Sequence, residues 1–278
     1  MIKEVKENIF LKVIKYLILI TFAVCALLPV VYMISSSFMD SGEVQQSLSN
    51  YSFHIVPNSF TLIQYYEVFL RSPQFLLKFW NSIILTLPTV IGQILISVLG
   101  AYAFAKINFP FNKPIFFMFI LLMLMPYQVT LVPIYIILKK MNLVGSYASV
   151  ILPGMFSTFG VFLLTQFIKS IPDEQCQSAK VDGANHIQIL FKIILPQCKG
   201  AVASLAILSF LDNWNMIEQP LILLENAKQP MSIFLSQINQ TELRVAFAAG
   251  VLFMIPSILI FLKGEKQLME GIQHLDLK

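Results

Sequence analysis

Long apolar runs dominate this chain and limit what it can fold into. A helix needs about 20 residues to cross roughly 30 Å of hydrocarbon. Four runs reach that length: Ile14–Ile34, Ile83–Ile107, Ile115–Leu138 and Tyr147–Ile168. Hydrophobic residues make up 57% of the 278 residues and charged residues only 12%, against about 45–50% and about 25% in soluble domains. We therefore expect an all-α polytopic membrane protein.

Two weaker segments bring the prediction to six transmembrane helices. Val245–Leu262 is shorter than the first four but adequate, and Ala201–Leu224 is interrupted by polar residues such as Asp212 and Glu218. The first run is too long for the core of a signal peptide and ends without a small-residue cleavage pattern. We therefore expect Ile14–Ile34 to be a retained span.

The distribution of lysine and arginine predicts how the spans are oriented. Cytoplasmic loops of membrane proteins carry an excess of these residues. With the N-terminus inside, 13 of the 19 fall in predicted cytoplasmic segments. Both termini are therefore expected to be cytoplasmic. The same orientation makes the charged tract at 169–199 cytoplasmic.

These spans predict a simple organisation of the chain. Before the second span, Phe60–Trp80 mixes aromatic and polar residues, as expected for an amphipathic stretch at the outer interface. The segments are a cytoplasmic tail 1-13, the first helix 14-34, an extracytoplasmic loop 35-79, a core of five helices 80-262 and a cytoplasmic tail 263-278.

The tract at 169–199 separates the fourth and fifth spans and has helical periodicity. Ser170 to Glu174 combines a hydroxyl, a proline and two acids, which is typical of a helix start. Asp182-Gly183 predicts a turn, because glycine tolerates a positive φ. Pro196 is expected to end a second helix, whose apolar stripe comprises Ile187, Leu190, Phe191 and Ile194.

This helix–turn–helix has two interpretations. In the first, the leading helix is free to project while the second packs its stripe on the bundle, which would make a rigid lever for a partner protein. In the other, the tract is an ordinary amphipathic loop at the membrane surface. The architecture alone fits both.

The residue pattern of the tract resembles the "EAA" loop of importer-type ABC permeases. That family has Glu-Ala-Ala, a glycine four residues later and a Leu-Pro-like ending. This chain has Gln177-Ser178-Ala179, then Gly183, and ends in Leu195-Pro196. Gln177 and Ser178 depart from the family pattern. Gln177 has no carboxylate with which to form a salt bridge to a partner, whereas the expected docking geometry does not depend on that charge.

Other motifs support the same resemblance from about residue 60 to the end. They are similar to segments of MalG-like permeases, the maltose-type carbohydrate importers, and comprise Asn81-Ser82, Gly100–Ala105, Met125–Tyr135, Trp214-Asn215 with Pro220-Leu221, and Glu270-Gly271. The resemblance implies a type I ABC importer permease fold. The loop between helices 4 and 5 would be its cytoplasmic coupling helix.

The resemblance also implies partners. These are a second homologous permease subunit, two copies of an ABC ATPase that hold ATP and Mg, an extracytoplasmic solute-binding protein and a sugar or oligosaccharide. The resemblance places the protein in the bacterial cytoplasmic (inner) membrane, with lipid around the spans. It implies no cofactor on this chain and no nucleic-acid partner. The ATPase-docking residues would be Gln177, Ser178, Ala179, Lys180, Asp182, Gly183 and Ala184.

Polar residues inside the spans are candidates for the substrate path. Charged groups there cost at least about 2.5–3.5 kcal/mol on insertion scales, so they usually face a wet cavity or a partner. Carboxylates and amides would hydrogen-bond sugar hydroxyls, and Trp214 or Tyr127 would stack on a ring. The alternative is a solvated structural cluster near the outer interface. The candidates are Gln128, Asn213, Trp214, Asn215 and Glu218.

Other functional classes find little support. The chain has no GxxxxGK[ST] phosphate loop, so it is not itself the nucleotide motor. Its histidines, at positions 54, 186 and 274, lack metal-ligand spacing. A membrane enzyme is therefore disfavoured. The main alternative is a self-sufficient secondary transporter or channel, against which stand the projecting loop and the lack of an ion-coupling site within an inverted repeat.

Overall fold

The computed structural model describes residues 9–49, 54–71, 73–237 and 243–276. The ends of the predicted tails, 1–8 and 277–278, lie outside these residues. Helices are the only regular elements in the described part of the chain, as expected. In chain order the longer ones are α1 (Ile9–Ser36), α2 (Ser41–Ser49), α3 (Ile63–Tyr66), α4 (Pro73–Lys106), α5 (Asn112–Met123), α6 (Tyr127–Lys140), α7 (Ala148–Gly154), α8 (Thr158–Ser170), α9 (Asp173–Val181), α10 (His186–Gln197), α11 (Lys199–Trp214), α12 (Glu218–Leu223), α13 (Met231–Ser236) and α14 (Leu243–Asp276). A π-helical segment, Glu67–Arg71, follows α3, and a 3-10 turn, Asn226–Lys228, precedes α13.

The helices account for the predicted number of spans. Four segments of the described chain are long and apolar enough to cross a membrane unbroken: Lys12–Ser36, Pro73–Lys106, Ala148–Ser170 and Val245–Leu268. Two bent pairs, α5 with α6 and α10 with α11, bring the number to six if each pair is one span. The prediction of a polytopic, all-α membrane protein is confirmed.

The predicted third span is not one continuous helix. Helices α5 and α6 meet at an angle of 103°. Pro126 lies at the break with an extended ψ of 134° and has no N–H to continue the helical ladder. A proline also disfavours the helical conformation of the residue before it. By contrast, Pro133 is accommodated inside α6.

The predicted fifth span also divides. Helix α11 ends at Trp214, and the short helix α12 begins at Glu218. A continuous helix would press the ring of Pro220 against the carbonyl group of Met216. The sequence predicts one span over Ala201–Leu224, whereas the break places Asn215 after α11 and Glu218 at the start of α12.

The structure differs from the predicted organisation in three further places. The polar connection after the first span contains helix α2. Helix α4 begins at Pro73, well before the predicted Ile83, and so includes part of the expected interfacial stretch. Helix α14 continues through most of the predicted C-terminal tail. An apolar run predicts only the part of a helix that lies in lipid. The helix itself can extend beyond that run, because polar residues are also compatible with helical backbone hydrogen bonds.

One compact unit comprises described residues within 1–75 and 238–252. Gln64 is buried in this unit, and its side-chain amide donates to the carbonyl groups of Ser36 and Met39, both at 2.8 Å. The hydroxyl groups of Ser37 and Tyr65 lie 2.8 Å apart. These bonds hold α3 against the turn that follows α1.

The other unit comprises described residues within 76–237 and 253–278. Its largest apolar cluster joins α4, α8, α10 and α11, with Leu164 and Leu205 almost fully buried. Small residues allow the helices to approach closely. A Cβ atom on Gly160 would lie 2.3 Å from the hydroxyl of Ser97, so α8 and α4 are in direct contact there.

The connection after α12 is tied to one end of α4. The side-chain amide of Asn81 donates to the carbonyl groups of Ala227 and Gln229, at 2.9 and 3.0 Å, and its oxygen accepts from the hydroxyl of Tyr147 at 2.7 Å. The hydroxyl of Ser82 accepts from the backbone N–H of Met231 at 2.9 Å. The Asn81-Ser82 motif therefore fixes this connection on the bundle.

Candidate functional site

The charged tract forms the expected helix–turn–helix. Helix α9 carries Asp173 and Glu174 in its first turn, where acids suit the helix dipole. Gly183 has a φ of +83°, and a Cβ atom there would meet nothing within 4 Å, so the turn requires glycine for its backbone conformation rather than for space. Asn185 and Gln188 then form a capping box that begins α10.

The start of α9 differs from the prediction. Ser170 does not cap this helix, because it still belongs to the last turn of α8 and its hydroxyl donates to the carbonyl of Phe167 at 2.7 Å. The N-cap position is Pro172, which has no side-chain acceptor. The ammonium group of Lys106 in α4 holds this end of α9 instead.

The apolar stripe of α10 is also different from the predicted one. Ile187 and Phe191 are 68% and 53% exposed, whereas Ile189 and Ile194 are fully buried. The segment Leu190–Ile194 is π-helical, with more residues per turn than an α-helix. Ile189 and Ile194, five residues apart, therefore share a face. The prediction assumed a regular α-helix and was wrong for Ile187 and Phe191.

Helix α9 does not project freely. Cys176 is 6% exposed and belongs to the large apolar cluster with α10 and α11, and Ala179 packs against the same cluster. Ala184, after the turn, is also half-buried. The remaining predicted docking residues are exposed along the other side of the hairpin: Gln177, Ser178, Lys180, Asp182 and Gly183. The hairpin thus has one face on the bundle and one open face.

Two residues of α4 form hydrogen bonds with both helices of the hairpin. The ammonium group of Lys106 donates to the carbonyl of Ile171 and to the carboxylate of Asp173, at the start of α9. Its side chain is only 4% exposed. The hydroxyl of Tyr102, one helical turn earlier, lies 3.0 Å from Nδ1 of His186, the first residue of α10.

Sequence reasoning missed this pair of contacts. Tyr102 and Lys106 are four residues apart and so lie on one face of α4, and Lys106 ends a long apolar helix. That spacing signals a shared polar role, but it does not say which distant segment the side chains contact. The contacts tie the second span to a hairpin that the chain joins directly only to the fourth and fifth.

The candidate path residues fall into two groups. A recess of about 460 Å³ lies beside the break between α11 and α12, lined by Tyr127 and by residues 211–213 and 215–219. Asn215 and Glu218 both line it and are exposed. The side-chain amide of Gln128 donates to both carboxylate oxygens of Glu218, at 2.9 and 3.1 Å. Gln128 is thus joined to the recess through Glu218, whereas the side-chain amide of Asn215 donates to the carbonyl of Leu211 at 2.8 Å.

Asn213 and Trp214 are committed to packing instead. Trp214 is 2% exposed, stacks on Phe210 and Phe253 at centroid distances of 5.3 and 5.1 Å, and donates its indole N–H to the carbonyl of Phe253 at 3.0 Å. It offers no free ring face to a sugar. The amide of Asn213 donates to the carbonyl of Ser209 at 2.7 Å, so this buried side chain only borders the recess.

Comparison with known proteins agrees with this geometry. Residues 92–262 match the family described as "Binding-protein-dependent transport system inner membrane component". The chain belongs to this family. It is thus a permease, the membrane-spanning component of such a transport system rather than a catalytic subunit.

Named relatives of the permease span most of its length. It is 29% identical over 69% of the chain to the "sn-glycerol-3-phosphate transport system permease protein UgpE" of Pectobacterium atrosepticum, covering 70% of that protein. It is 26% identical over 90% of both chains to the "Arabinooligosaccharides transport system permease protein AraQ" of Halalkalibacterium halodurans.

A solved structure supports the fold of the permease. A chain of a bacterial ABC transporter involved in the import of the acidic polysaccharide alginate superposes with a TM-score of 0.83, covering 96% of this chain and 99% of that one. The sequence identity is 22%, so the match speaks for the fold alone. The predicted type I ABC importer fold is confirmed.

Replacing Lys106 by methionine should loosen the start of α9. Ile171 and Asp173 would lose the ammonium group that joins them to α4, and backbone amides of α9 would open more often. Hydrogen exchange of peptides covering 173–181 in the purified permease should speed up. Lys180→Met, at an exposed residue of the same helix, is the matched control and should leave exchange unchanged. Unchanged exchange in Lys106→Met would show that the contact does not hold the hairpin.

Proposed function

We propose that this permease is one half of a heterodimeric membrane pair in an ATP-driven importer, and that its hairpin α9–α10 receives the motion of an ATPase. The observation that carries the proposal is the two-sided hairpin. Its open face, which includes Gln177 and Lys180, is available to a partner, while Cys176 and Ile194 are buried on the other side. Force applied to the open face therefore reaches the spans through close-packed side chains, which transmit strain.

The proposed assembly follows the family resemblance. Two ATPase copies bind the cytoplasmic hairpins of the two permeases and hold ATP and Mg, and an extracytoplasmic solute-binding protein delivers the cargo. Closure of the ATPase dimer turns the cavity between the permeases outward, and hydrolysis resets it. Both termini lie in the cytoplasm, in keeping with the lysine and arginine distribution.

The cargo we propose is a neutral sugar or oligosaccharide. The relatives are named for glycerol phosphate and arabinooligosaccharide transport. The recess here presents carboxylates at Asp212 and Glu218 together with the phenol of Tyr127. Carboxylates accept hydrogen bonds from hydroxyl groups but repel phosphates and uronates. The lining therefore favours an uncharged, hydroxyl-rich solute over an anionic one.

Orientation and docking can be tested with single cysteines in a cysteine-free background. A cysteine at Ala227, which is exposed after α12, should react with a membrane-impermeant thiol reagent in intact cells. A cysteine at Lys180 should react only in inverted vesicles, and assembly with the ATPase should protect it. Labelling of position 180 in intact cells would reverse the proposed orientation. Equal labelling with and without ATPase would place the partner elsewhere.

Glu218→Ala tests the cargo recess. The variant should assemble normally but take up sugar with an apparent affinity reduced about tenfold or more, because a hydrogen bond to a charged acceptor contributes about 1.5–3 kcal/mol. Glu225→Ala, at an exposed acid that does not line the recess, is the matched control. Wild-type uptake by Glu218→Ala would remove the recess from the path while leaving the ATPase proposal standing.

A further inference from the structure

A second recess lies at the far end of the bundle from any proposed cargo contact. Its volume is about 580 Å³, and it is formed where α4 ends, α5 begins and α8 ends. Lys113 and Lys169 line it, together with aromatic side chains that include Phe109 and Phe111. We call it the basic recess. No Asp or Glu stands among the described residues that line it.

The two lysines bring positive charge from separate elements into one place. Lys113 lies in the first turn of α5, and Lys169 lies in the last turn of α8. Neither belongs to an ion pair formed by the described residues. The ammonium group of Lys169 stands over the ring of Phe116, 4.6 Å from its centroid. Two like charges that line one recess repel each other, and an anion bound between them would offset that repulsion.

The start of α5 adds to this positive field. Its first turn contains no acid, and the N-cap residue Phe111 provides no side-chain cap. Within that turn, the backbone N–H of Asn112 donates to the carbonyl of Phe109 at 3.3 Å, and Pro114 has no N–H. A helix N-terminus carries partial positive charge and favours anions, so Lys113 stands where a lysine opposes helix stability. The side chain of Asn112 fixes the local loop by donating to the carbonyl groups of Phe104 and Ile107, at 3.4 and 3.1 Å. The site is thus held in shape without neutralising its charge.

The surroundings of the recess are those of a membrane surface. Apolar helices end here, and Phe111 is 75% exposed at the rim with a left-handed φ of 63°. A small soluble anion would gain nothing from contact with exposed aromatic rings. A phospholipid would, because it combines a phosphate with apolar acyl chains. Basic pockets between spans are known to bind anionic headgroups. We propose that the basic recess binds the headgroup of an anionic phospholipid, with Lys113 and Lys169 on the phosphate.

This proposal predicts a lipid preference that native mass spectrometry can measure on the detergent-purified transporter complex. With matched acyl chains, phosphatidylglycerol should bind more tightly than phosphatidylcholine. The double variant Lys113→Gln/Lys169→Gln should weaken phosphatidylglycerol binding on the order of tenfold while leaving phosphatidylcholine unchanged. Lys113→Arg/Lys169→Arg should retain the preference, because arginine also pairs with phosphate.

The control is Lys139→Gln/Lys140→Gln, which removes two exposed lysines from the end of α6 and should behave as wild type. The proposal fails if the double glutamine variant keeps the full preference for phosphatidylglycerol. It also fails if inorganic phosphate at millimolar concentration displaces the lipid completely, since the recess would then be a site for a soluble anion. If the double variant does not assemble, each single lysine variant should show a smaller loss, and no loss in either overturns the assignment.

Discussion

The buried face of α10 is the contact on which the rest of the permease depends. Ile189 and Ile194 are fully buried against a cluster that also contains Leu164 and Leu205 from the neighbouring helices. The π-helical segment brings them onto one face and leaves Phe191 exposed. Because interiors of proteins pack as closely as organic crystals, a displacement of the hairpin displaces its neighbours as well. Lys106 and Tyr102 extend that connection to α4 through polar contacts.

The break after Trp214 has a comparable importance for the polar recess. Trp214 is stacked between two phenylalanines and anchors the end of α11, while Pro220 prevents that helix from continuing. Asn215 and Glu218 then line the recess. Irregular backbone at membrane depth is tolerated where it lines a cavity. The local sequence therefore creates a polar surface inside an otherwise apolar bundle.

Much of this arrangement could be predicted from residue patterns that act locally. Apolar length predicted the number of spans, and Asp182-Gly183 predicted the turn of the hairpin. What could not be predicted depends on distant partners or on departures from regular helices. The Lys106–Asp173 contact joins residues 67 positions apart, and the packing of Trp214 depends on Phe253. The exposure of Ile187 and Phe191 depends on a helix phase that a regular α-helical period does not describe. Because both side chains are apolar, their residue type predicts burial rather than the exposure that the structure shows.

The central claim is that the hairpin transmits motion to the spans through α4 as well as through its own chain neighbours. The most direct measurement is the ratio of ATP hydrolysed to sugar transported by the complete importer in proteoliposomes. The double variant Tyr102→Phe/Lys106→Met should still assemble and hydrolyse ATP but transport less sugar per ATP, so this ratio should rise several-fold above wild type. Lys140→Met, at an exposed lysine that ends α6 outside the hairpin, is the control. An unchanged ratio in the double variant, with the complex intact, would contradict the account.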